Sequence, residues 1–103
     1  MIKLNIQAML KQAKQMEQEI TKAKAEIDQQ LFLGAHSKVS AEVNGKKEVT
    51  KITIDPTMVL KDSDDLEMLE DMILLAINDA LKKVELEINN KMAKYGSGIA
   101  GLF

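Results

Sequence analysis

The chain has 103 residues, and its 14 basic residues, all lysine, stand against 16 acids for a net charge of −2. At this length a single domain is expected, burying only about two-thirds of its unfolded surface, which argues against a large catalytic cleft inside one copy. The absence of cysteine excludes thiol chemistry and cysteine-ligated zinc, and the absence of arginine excludes bidentate readout of guanine.

The first element is expected over residues 1–30. Ile2, Ile6, Met9, Ala13, Met16, Ile20, Ala23 and Ile27 recur at alternating steps of four and three. That heptad spacing puts them on one seam of a helix roughly 40 Å long, and a seam so narrow needs a partner helix, in this chain or in a second copy. The opposite face mixes lysines and acids, unlike a membrane-surface helix. The start of the chain lacks the apolar core of a secretory signal, and no apolar run approaches the roughly 20 residues that span a bilayer. A cytoplasmic protein with no membrane partner is the expectation.

A sheet is expected over residues 31–55. Leu31-Phe32-Leu33, ended by Gly34, fits either the end of the helix or a first strand. Val39, Ala41 and Val43 then alternate with polar residues, a period of two. Asn44-Gly45 is a strong hairpin signal, followed by the β-branched run Val49–Ile54. With a two- or four-residue loop Val43 shares a face with Thr50, Ile52 and Ile54, and Val49 points the other way unless a bulge near Lys47 shifts the register. Asp55-Pro56 ends the strand.

A second helix is expected over residues 64–95. Ser63 or Asp64 is the expected N-cap, with Asp64 and Glu67 at capping-box spacing. Acids crowd residues 62–71, where they complement the positive end of a helix dipole, while the positions do not fit a calcium loop. Leu66, Leu69, Met72, Ile73, Ala76, Ile77, Ala80, Leu81, Val84 and Ile88 form a stripe broad enough to cover the sheet. Gly96 opens an apolar tail, residues 96–103.

Catalysis is not expected. His36, the lone histidine, reads as a turn residue without a nucleophile motif, and no phosphate-cradling glycine loop precedes a helix. No cofactor, metal or small-molecule substrate is called for. The charge is segregated: residues 1–54 carry nine lysines against six acids, and residues 55–103 five against ten.

The order of these segments resembles the YbaB/EbfC family of bacterial nucleoid-associated proteins. The residues that carry the resemblance are Met9-Leu10-Lys11-Gln12-Ala13-Lys14-Gln15-Met16, Val43-Asn44-Gly45, Ile54-Asp55-Pro56, Leu69-Glu70-Asp71 and Ala76-Ile77-Asn78-Asp79-Ala80, with the glycine-containing tail. The resemblance implies an α+β protomer of α-β-β-β-α order with a three-stranded antiparallel sheet, a homodimer formed through the sheet region, and helical arms. It also implies binding of double-stranded DNA in the nucleoid, for chromosome organisation or gene regulation. The arm residues that would carry it here are Lys11, Lys14, Lys22, Lys91 and Lys94. The alternative is a dimeric helical-armed scaffold that binds proteins and no nucleic acid.

Overall fold

A computed structural model of the chain describes residues 5–96. Ile2 of the seam and the tail beyond Gly96 lie outside the described residues. The elements are α1 (Ile6–Gln29), three strands β1 (Leu31–His36), β2 (Val39–Asn44) and β3 (Val49–Ile54), and α2 (Ser63–Met92), closed by a 3₁₀ turn, Ala93–Tyr95. The sheet is antiparallel with strand order β1-β2-β3. This is the α-β-β-β-α arrangement expected from the sequence.

Asn5 caps α1, its Oδ1 accepting from the Ala8 amide at 3.1 Å. No glycine ends this helix; Gln30 turns extended and leads straight into β1. The strand then runs through Gly34 rather than stopping there. Gly34 marks the place where α2 crosses β1, because a Cβ on it would collide with backbone atoms of Ala76 and Ala80. His36 is the last residue of β1, not a turn residue, and the turn is made by Ser37, with a φ of 53°, and Lys38.

The hairpin between β2 and β3 forms, but not by the chemistry expected of Asn-Gly. Asn44 Oδ1 accepts from the amides of Lys46 and Glu48, and the Lys47 amide donates to the Asn44 carbonyl at 3.0 Å. The left-handed residue is Lys47, with a φ of 67°. Gly45 serves a different need: a Cβ there would strike the Ile27 carbonyl at the end of α1. The bulge also sits elsewhere than near Lys47. Val43 pairs with Val49 and Glu42 with Lys51, so Thr50 is the extra residue, and its hydroxyl donates to the Glu42 carbonyl and carboxylate. The bulge returns Val49 to the face of Val43, Ile52 and Ile54.

Asp62, rather than Ser63 or Asp64, caps α2. Its Oδ1 accepts from the Asp65 amide at 3.0 Å, and Asp65 reaches back to the Lys61 amide at 2.9 Å. Asp62 and Asp65 thus resemble a capping box, except that Asp65 reaches the amide of Lys61, one residue before the cap, instead of that of Asp62.

The core has two parts. Val39 and Ala41 pack under Ala76, with Leu69, Met72, Ile73 and Ile77 around them. Ile27, Phe32 and Val43 pack with Ala80, Val84, Ile88 and Met92, and with Ile20, Ala23 and Tyr95 at the border. Because α2 lies over β1 and β2, Val49, Ile52 and Ile54 of β3 share the core face yet stay exposed. Leu66, expected on the buried stripe, is 48% exposed in the first turn of α2, and the buried part of the stripe begins further along at Ala76. The radius of gyration is 20.5 Å and the longest extent 80 Å, against about 13 Å for a compact chain of this size.

Candidate nucleic-acid interface

The length of the molecule comes from α2 and from the part of α1 that runs beyond it. The seam of α1 is split in use. Ile20, Ala23 and Ile27 pack on the C-terminal half of α2, which runs antiparallel to it, and the Tyr95 hydroxyl lies 3.4 Å from Glu19 Oε2. Before Glu19 the helix stands clear of the sheet and α2, with Ile6 65% and Met9 56% exposed. Residues 6–19 are thus a projecting arm.

On the outward face of α1, Lys11 and Lys14 of the arm converge with Lys22 just below it. At 3.6 residues per turn they fall within about 80° of arc, with Gln18 between them, Gln15 just beside the arc and the apolar seam on the far side. All three are exposed. Two shallow clefts follow the same face, one lined by Lys11, Lys14, Gln15 and Gln18, the other by Lys14, Gln18, Thr21 and Lys22 with Glu17 and Ala25. They meet at Lys14 and Gln18. The face presents ammonium donors and amide groups along a straight rod, which suits a line of phosphates.

Lys91 and Lys94 are placed differently. Lys91 is half-buried and pairs with Glu26 of α1 at 3.9 Å, so part of its charge is already answered. Lys94 sits over the Tyr95 ring, 5.0 Å from its centre. Both lie where α2 meets α1, at the base of the arm. The structure therefore gathers three of the five lysines on one surface and leaves two at a helix junction.

Sequence reasoning passed over a further basic group. Lys24, Lys46 and Lys47 surround a cleft of about 320 Å³ with Asp28 and Gly45. The signal was weak because two of these lysines belong to a loop and one to a helix. Only the close contact of Gly45 with Ile27 joins them. The acids of residues 62–71 lie at the start of α2, a helix of 30 residues, about 45 Å from its other end and so remote from the arm. Among the described residues no group of three or more histidine, aspartate or glutamate side chains is placed to hold a metal ion, and no helix is long and apolar enough to cross a membrane.

A small antiparallel sheet backed by one helix, with the other helix leaving it as a basic-faced rod, defines an α+β protein of the helical-arm type. The profile of the YbaB/EbfC DNA-binding family matches residues 2–99, and the chain belongs to that family. It is similar to a nucleoid-associated protein of Caldanaerobacter subterraneus subsp. tengcongensis, 45% identical over 96% of this chain and 91% of that relative. A nucleoid-associated protein of Clostridium novyi is 40% identical over 93% of this chain and 84% of its own length. One from Chloroflexus aurantiacus is 34% identical over 97% and 100%.

Proposed function

We propose that this chain acts as a homodimer that binds double-stranded DNA with low sequence specificity through the lysines of its arms, as part of the nucleoid in the cytoplasm. It would serve chromosome organisation or gene regulation. The observation that carries the reading is the stripe of Lys11, Lys14 and Lys22 on the exposed face of α1. Lysine is a point charge without the planar fork of arginine, so such contacts position the protein on phosphates without reading bases. Lys91 and Lys94 add contacts at the base of the arm, the former weakened by its pairing with Glu26. Dimerisation is supported by the uncovered apolar residues of β3.

The test is a titration of duplex DNA, followed by fluorescence anisotropy, at low and at physiological salt. Binding is expected to weaken steeply with salt, because each neutralised phosphate releases counterions and adds roughly 0.9 to the slope of log K against log salt. The variant with Lys11, Lys14 and Lys22 changed to glutamate is expected to lose binding while keeping its fold. Undiminished binding by that variant rejects the arm as the interface, and no binding by the wild type at low salt rejects the DNA role.

The exposed Ile6, Met9, Leu10 and Met16 favour the second reading, a scaffold that holds protein helices. Under that reading the lysine variant keeps its protein partners and neither form binds DNA.

A further inference from the structure

The two edges of the sheet are built in opposite ways. β1 is an edge strand, and its outward-facing backbone groups include the Leu33 carbonyl and the Ala35 amide. Both are occupied by side chains of α2. The Ala35 amide donates to Asp79 Oδ2 at 3.0 Å, and Lys83 Nζ donates to the Leu33 carbonyl. Asp79 and Lys83 stand one helical turn apart and lie 3.8 Å from each other. Between them they provide the acceptor and the donor that a residue of an incoming strand would provide. They also bring charge to the edge, where an added strand would have to bury it.

β1 also exposes Leu31 and Leu33, but on the face away from α2, whereas β3, the other edge, exposes apolar residues on the core face and has no such backbone caps among the described residues. Val49, Ile52 and Ile54 are 46%, 36% and 40% exposed on the core face, because α2 does not reach them. Val59 and Leu60 in the connection to α2, and Leu66 in its first turn, are exposed as well. The one charged residue of the strand, Lys51, lies across from Glu42 and on the opposite face from Ile52. A patch that meets its own copy across a two-fold axis must be nearly neutral and self-complementary. The β3 side satisfies that condition; the β1 side, with its fixed donor and acceptor, is closed to it.

We propose that Asp79 and Lys83 form an edge lock that makes self-association one-sided: a second copy joins along β3, and the shared sheet ends at β1 of each protomer. The inference rests on the homodimer of the proposed function and adds what stops that dimer from growing. Without the lock both edges are open, and pairing at β1 links dimers into longer sheets.

Sedimentation of the full chain tests it. The wild type is expected to be a dimer across the micromolar range, with no larger species as concentration rises. The variant Asp79→Ala/Lys83→Ala is expected to form species larger than a dimer, increasing with concentration, whereas Lys83→Arg, which keeps the donor, stays dimeric. Ile52→Glu is expected to give a monomer. A folded double variant that remains a dimer overturns the lock while leaving the homodimer intact. A dimeric Ile52→Glu overturns the seat at β3. A monomeric wild type overturns the homodimer reading itself, and the lock with it. Should circular dichroism show the double variant unfolded, Asp79→Leu/Lys83→Met decides, since it keeps the side-chain bulk and removes both capping groups: larger species support the lock, and a dimer overturns it.

Discussion

Two stretches of one helix meet opposite surroundings. From Ile20 onward α1 is pinned: Ile27 is fully buried, Ala23 and Ile20 rest on α2, and the backbone at Ile27 touches Gly45. Before Glu19 the same heptad continues with no sheet or α2 residue among the described residues packed in a core against it. The periodicity is identical, yet it builds a core in one half and an exposed seam in the other. Amphipathic spacing thus states which face of a helix is apolar, not what that face will meet. Stability belongs to the pinned half, and the arm is held up by its attachment.

The contrast can be broken most forcefully at the crossing of β1 and α2. Gly34→Val places a side chain where the backbone of Ala76 and Ala80 already stands, and should cost on the order of 3 kcal/mol or more. Ala13→Val on the arm should change stability by no more than about 0.5 kcal/mol. Chemical denaturation of both variants checks the pair. Next comes truncation of the seam on either side of the divide. Ile27→Ala should lose about 3 kcal/mol, and Met9→Ala within about 0.5 kcal/mol. Equal losses would mean that the arm is covered in solution as fully as the core.

A smaller effect is expected at the cap of α2. Asp62→Ala removes the acceptor for the Asp65 amide and should lower stability by about 1 kcal/mol in thermal unfolding. The smallest effect is at Asp55. Its carboxyl is held below its ordinary value of 3.8, first by the bond from the Thr57 amide, then by the Thr57 hydroxyl, with Lys38 adding its charge. A lowered folded pKa means stabilisation that is complete above 3.8 and lost as the pH falls through the folded value. Asp55→Asn should therefore lower the melting temperature near neutral pH, and the difference should shrink as the pH falls below 3.8.

What the sequence disclosed follows the same division between local and distant causes. The heptad of α1, the alternation at Val39, Ala41 and Val43, and the stop at Asp55-Pro56 are set by neighbours along the chain, and they appear in the structure as expected. Gly34 was ambiguous because its reason is the backbone of α2, more than 40 residues away. Asn44-Gly45 announced a hairpin, but the glycine answers to Ile27, and the left-handed turn position fell to Lys47. The cap of α2 shifted to Asp62 because several acids in a row compete for one role, and only geometry chooses. Lys11, Lys14 and Lys22 come from the family resemblance; helical angle, which groups them on one face, is a signal the sequence also carries. The partner of Lys91 was not legible, since Glu26 reaches it only after the helices pack.

The contact between Gly45 and Ile27 has one more effect. Main chain lies on main chain there, with no side chain between, so no rotamer change can swivel the rod at its root. Its bearing at the root is set by main-chain packing, as the fixed jaw of a gauge is set by its frame.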